Sequence, residues 1–146
     1  MKQVKKILFP IDFASNFDTL VPWVETFADK FGARVYVLFV AQDLSHFATF
    51  YVPHGNIEEF QQQAVDSAKK RMATAAEQFF KKFPKLETRV ELGAPAEKIL
   101  ALVQKENIDM IIMGAHGRTG LERAIFGSVA NKVVKSASCP VLTIHP

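Results

Sequence analysis

The sequence predicts a single α/β domain: a doubly wound, mostly parallel sheet of five strands with helices on both faces. Three observations predict it. Short apolar runs alternate with stretches of helical period, in the order β-α-β-loop-α-β-α-β-loop-α-β. Two of the runs, Ala33–Ala41 and Ile108–Gly114, are apolar almost throughout, as strands covered on both faces are. The chain has 146 residues, enough for one domain with a substantial core, and shows no linker, repeat or low-complexity segment. Right-handed crossovers then restrict the topology to a doubly wound one.

The elements follow in order. Val4 to Ile11 reads as a buried strand. Ser15 or Asn16 can cap a helix running through Thr19 to Phe31, with Pro22 in its first turns or at a bend and Gly32 as its stop. Ala33 to Ala41 is the second strand. Gln42 to Gly55 has no clear period and reads as a long loop. Asn56 and Glu59 resemble a capping box for a long amphipathic helix, whose apolar stripe is Phe60, Ala64, Ala68, Met72, Ala76, Phe79 and Phe83. Pro84 ends it. Lys85 to Leu92 alternates, as a strand near a sheet edge would. Pro95 opens the next helix, and Ile99, Leu100, Leu102 and Val103 give it an apolar face. After the strand at Ile108–Gly114 and a glycine-rich loop, Ser128–Ser136 reads as a helix and Pro140–Ile144 as the last strand.

Composition narrows the functional classes. Net charge is +3, with basic and acidic residues interleaved, which argues for solvated helix faces and against a nucleic-acid partner. The one cysteine, Cys139, excludes an intrachain disulfide and a cysteine zinc cluster, and reads as a small buried hydrophobe. No apolar run reaches transmembrane length, and Pro10 and Asp12 cut the N-terminal one short of a signal peptide. A cytoplasmic protein without membrane insertion is expected.

Four of the 7 glycines fall between Gly114 and Gly127, directly after an apolar strand. In open α/β sheets ligands bind beyond the carboxyl ends of the strands, where the winding reverses. With the first and fourth strands as central neighbours, Asp12, the backbone around Val40 and the glycine loop would share one crevice. Gly114 and Gly117 would let backbone N–H groups approach an anion, with φ > 0 available to them. Gly127 and Ser128 open a helix, whose first N–H groups and dipole favour phosphate. Asp12 could accept hydrogen bonds from a ribose, and the Val40 backbone could pair with an adenine edge. Such a set of groups fits a nucleotide. The spacing is neither a Walker A loop nor the G-x-G-x-x-G dinucleotide fingerprint.

Gly114, two residues, Gly117, nine residues and Gly127-Ser128 match G-2x-G-9x-G-(S/T), and the whole chain resembles the ATP-binding universal stress proteins. "KKILFPIDFA", "GAPAEKIL" and "CPVLTI" carry the resemblance at the first strand, third helix and last strand. It implies one domain over 1–146 with strand order 3-2-1-4-5, an adenine nucleotide alpha hydrolase-like fold. It further implies ATP, AMP or ADP binding, usually with Mg²⁺, by Pro10, Asp12, Val40, Met113, Gly114, Gly117, Arg118, Gly127, Ser128 and Val129. A homodimer through the C-terminal strand, Val141–Ile144, and a regulatory role in stress follow from it too. Phe39 stands where many members have histidine, a difference expected to act on packing.

The remaining residues are less constrained. His116 and Arg118 could contact phosphates or act in phosphate transfer, or lie exposed in the loop; the exposed reading is the one expected for His116, Arg118 is left open, and Thr119 is a candidate phosphorylation site. His46, Phe47, Phe50, Tyr51 and His54 either flap over the base or pack at a dimer contact. No acidic pair for a catalytic Mg²⁺ and no obvious base for water is visible, so any hydrolysis should be slow. The apolar last strand, with no lysine in it, suits self-pairing across a two-fold axis. The alternatives to a nucleotide-binding regulatory module are a slow ATPase or phosphoryl or nucleotidyl transferase using the same crevice, and a protein-interaction module without nucleotide.

Overall fold

A computed structural model describes residues 1–43, 54–116 and 126–145. Five strands, β1 (Lys6–Ile11), β2 (Arg34–Ala41), β3 (Lys85–Leu92), β4 (Met110–Gly114) and β5 (Val141–Ile144), form one sheet in the order β3-β2-β1-β4-β5. Every pairing is parallel. The chain winds outward from β1 to β3, then crosses back to β4 and β5, so the winding reverses between β1 and β4. The expected fold class and strand order are those observed.

Side chains alternate between two cores, one on each face of the sheet. Ile7, Phe9, Val35 and Val37 face α1 (Val21–Phe31) and α2 (His54–Phe79), meeting Val24, Ala28, Met72 and Ala75. Leu8, Tyr36, Leu38 and Ile111 face α3 (Pro95–Glu106) and α4 (Ser128–Ser136), meeting Ile99, Leu102, Val103 and Val133. Covered on both sides, the central strands have no use for a polar alternation, which is why they read as apolar runs. The edge strand β3 is different. Its Glu87 and Arg89 pair at 2.9 Å and reach Arg34 at 3.1 Å and Glu106 at 3.3 Å. Burial, then the Glu87 and Glu106 carboxylates, push the Tyr36 hydroxyl above its ordinary pKa. Cys139 is half-buried, and burial raises its thiol pKa too, so at neutral pH it is a small apolar group.

Several boundaries differ from the sequence reading. α1 begins at Val21, after a short 3-10 turn at Phe17–Thr19, and neither Ser15 nor Asn16 caps it. Ser15 instead donates to the Asp12 carbonyl at 2.8 Å, and Pro22 occupies the first helical turn, where its missing N–H costs nothing. α2 begins at His54, so Asn56 lies inside the helix rather than capping it, and His54 and Gly55 are not loop. The helix ends at Phe79, and the turn that follows still buries Phe80 and Phe83. Nothing between Asn56 and Ser67 is buried: Phe60 is 58% exposed and Ala64 is exposed, because the helix meets the core only from Ala68 onward. The candidate flap residues His46, Phe47, Phe50 and Tyr51 lie outside the described residues. Among the described residues, no helix is long and apolar enough to cross a membrane.

Candidate functional site

The parallel register decides what meets at the carboxyl ends of the strands. Pro10 is level with Leu38 and Ile11 with Phe39, so Asp12 leaves β1 level with Val40 of β2. Ile7 is level with Met110 and Leu8 with Ile111; carried forward, this places Pro10 beside Met113. On the far side Met113 pairs with Thr143 and Gly114 with Ile144. The ends of β1, β2 and β4 therefore open onto one crevice of about 280 Å³, at the point where the winding reverses.

Eight of the ten candidate residues line it: Pro10, Asp12, Val40, Met113, Gly114, Gly127, Ser128 and Val129. Gly117 and Arg118, with Thr119, lie outside the described residues. Asp12 sits in a tight turn. Its Oδ1 accepts the Ala14 N–H at 2.9 Å, while its carbonyl accepts the Ser15 N–H at 3.0 Å. Those bonds fix the carboxyl group at the crevice lip.

The roles of the glycines need correction. Gly114 has no positive φ; among the described residues only Gly32, Gly93 and Asn107 have one. Gly114 sits where space is tight: a Cβ there would lie 3.2 Å from Leu20 Cδ1 and 3.3 Å from the His116 carbonyl oxygen. Gly114→Ala should therefore destabilise the fold by about 1–2 kcal/mol, as overpacking does, read as a lower urea midpoint. Gly127 is extended, with φ −61° and ψ 155°, so conformational freedom is not its contribution either. Its N–H donates to the Ala115 carbonyl at 2.8 Å and is not available to an anion.

Ser128, Val129 and Ala130 supply the donors at the helix start. The first bond of α4 runs from the Asn131 N–H to the Gly127 carbonyl at 2.9 Å. The three preceding N–H groups have no acceptor within the helix and lie at the positive end of its dipole, and their residues line the crevice.

Reasoning from sequence missed the walls. Phe17, Leu20 and Phe39 close one side, and Pro95 and Ile99 of α3 the other. Phe39 serves both packing and crevice: its ring lies 4.5 Å from that of Phe13 and also lines the cavity. His116 is a correction. It is not an exposed loop residue; it lines the crevice with both ring nitrogens buried and its ring 5.3 Å from that of His145.

The universal stress protein family model matches residues 3–145. Universal stress protein MJ0531 of Methanocaldococcus jannaschii is 34% identical over 143 residues, 96% of this chain and 81% of that protein. The solved structure of MJ0577 from the same organism superposes with a TM-score of 0.85 at 27% identity, covering 99% of this chain and 98% of that one. A universal stress protein from Archaeoglobus fulgidus, solved in complex with dAMP, superposes with a TM-score of 0.65 at 20% identity, covering 96% and 97%.

Proposed function

This chain belongs to the universal stress protein family, and we propose that within it the protein is an adenine-nucleotide-binding regulatory module, cytoplasmic and homodimeric. The observation that carries the reading is the convergence of three unlike groups on one crevice. The Asp12 carboxylate suits ribose hydroxyls. The Val40 backbone, between the apolar walls, suits a base. The N–H groups of Ser128, Val129 and Ala130, which have no acceptor within the helix, suit phosphates together with the Ser128 hydroxyl. The crevice volume is near the lower end of the about 300–1,000 Å³ usual for small-molecule sites.

ATP, AMP or ADP is the expected ligand, with Mg²⁺ carried by the phosphates. Among the described residues no group of three His, Cys, Asp or Glu side chains gathers to hold a metal, and an ion of this kind is commonly held by substrate phosphates and water. Arg118 and Gly117 belong to the same proposal through the family motif. The dimer reading rests on β5. All four of its residues are only half-buried at a sheet edge, and Val134 and Phe126 lie 46% and 44% exposed on the adjoining segments. Pairing across a two-fold axis would cover them.

The test is direct. Purified protein is denatured and the supernatant is chromatographed for released nucleotide; the stripped protein is then titrated with ATP and Mg²⁺ in a calorimeter. No released nucleotide together with no heat would overturn the reading. Asp12→Ala should weaken ATP by about 1–3 kcal/mol, roughly five- to 150-fold, from the loss of hydrogen bonds to a charged acceptor. An unchanged Kd would remove Asp12 from the site.

A further inference from the structure

The polar side chains of the crevice differ in whether their bonding is already complete. The Ser15 hydroxyl donates to the Asp12 carbonyl at 2.8 Å, and Asp12 Oδ1 accepts the Ala14 N–H. His116 differs from these, and from the exposed Gln42 and Ser128, because its polar atoms are buried. Both Nδ1 and Nε2 are shielded from solvent, and neither has a hydrogen-bond partner among the described residues. A neutral imidazole carries one donor and one acceptor, and a protonated one carries two donors. Leaving both nitrogens buried and unpaired is costly, and native structures rarely do so without a reason.

The backbone leaves His116 little freedom to escape that cost. The Ala115 N–H donates to the Ile144 carbonyl at 2.9 Å, and the Ala115 carbonyl accepts the Gly127 N–H at 2.8 Å. The residue before His116 is thus tied to β5 on one side and to the start of α4 on the other. The ring is held too. His145 packs edge-on against it at 71°, and Phe126 packs against His145 at 5.8 Å. Two groups that can carry charge face it: His145 from the end of β5 and Asp12 from across the crevice. Neither forms a hydrogen bond with it. Phe17, Leu20 and Met113, which line the same crevice, carry no polar side-chain group to offer it.

We infer that the unpaired imidazole of His116 is completed by the ligand: it donates a hydrogen bond to a phosphate oxygen of the bound nucleotide and makes the crevice select for phosphorylated ligands over nucleosides. The inference rests on the nucleotide reading above and extends it. The α4 N–H groups approach an anion from the helix side; His116 approaches from the β4 side of the same crevice. Two donor sets on different elements grip a phosphate better than one, and a ring held by packing loses little entropy on binding. A nucleoside has no phosphate to meet His116, so its binding would leave the charge-assisted bond unmade.

The experiment compares ATP, AMP and adenosine on the intact protein by calorimetry, for wild type, His116→Phe, His116→Gln and His145→Gln. His116→Phe keeps the ring and its packing but removes the donor. It should weaken ATP and AMP about tenfold and leave adenosine within about twofold. His116→Gln, which retains an N–H donor, should recover most of the loss, and His145→Gln should change the ratio of ATP to adenosine affinity little. Equal weakening of ATP and adenosine, or no change in either, overturns the role of His116 while leaving nucleotide binding standing. Wild type that binds none of the three overturns both. Should a variant fail to fold, the imidazole nitrogen resonances of wild type decide the matter. The His116 signals, assigned as those that persist in His46→Gln, His54→Gln and His145→Gln alike, should shift on adding ATP and stay fixed on adding adenosine; the reverse pattern overturns the inference.

Discussion

Phe80→Ala is expected to cost about 3–5 kcal/mol of unfolding free energy, a large part of the about 5–15 kcal/mol typical of a domain. Phe80 is 1% exposed, in the turn just after α2. Its ring stacks on Phe83 at 5.3 Å and 9°, and meets Phe9 of β1 at 6.4 Å and Phe17 at 6.2 Å. It therefore joins α2, the central strand and the segment that enters α1. Truncation removes a fully buried ring and leaves a cavity between elements that are each fixed elsewhere, so collapse can recover little. Urea unfolding should show a lower midpoint at an unchanged slope. Phe79→Ala, at a ring 37% exposed, should lose well under half as much. A Phe80→Ala loss below about 1.5 kcal/mol would mean that the neighbours close the gap. Because Phe17 also lines the crevice, the same variant should weaken ligand binding as well.

The fold was legible because its determinants are local and periodic. The runs at Ile7–Phe9, Val35–Leu38 and Ile111–Ile112 are apolar without alternation, and both faces of those strands are covered. The crevice was legible for a related reason. Once strands are placed, their carboxyl ends are placed, and Asp12, Val40 and Gly114 are strand-end residues. What failed depends on contacts distant in sequence. Ser15 and Asn16 have the chemistry of caps, but the turn at Asp12 and the proline at 22 move the start of α1 to Val21. Phe60 and Ala64 continue a helical stripe that meets no core at that end of α2. His116 carries no periodic signal, and the ring that packs against it, His145, lies 29 positions further along the chain. The Gly127 N–H looked like an anion donor until its acceptor, the Ala115 carbonyl, was visible.

Ser128→Asp should separate stability from binding, moving them in opposite directions. Ser128 is exposed and is the first residue of α4, after an N-cap, Gly127, that has no side chain to cap with. An aspartate there faces the positive end of the helix dipole and the first-turn N–H groups that have no acceptor within the helix. That stabilises the helix by about 0.3–1 kcal/mol, so the melting temperature should hold or rise. The same carboxylate occupies the donors proposed for phosphate and sets a like charge against it. Two unit charges about 4 Å apart near a protein surface repel by about 4 kcal/mol before screening. The affinity for ATP should fall about 100-fold or more, while adenosine binding changes little. Ser128→Asn, of similar size and without the charge, should keep most of the ATP affinity. A variant more stable than wild type that still binds ATP as tightly would place the phosphates away from α4. A variant that loses ATP and adenosine together would make the effect steric. Only the loss of phosphate-dependent affinity in a protein that is no less stable assigns the N-terminus of α4 to the phosphates, because global damage to the fold cannot produce that pair of results.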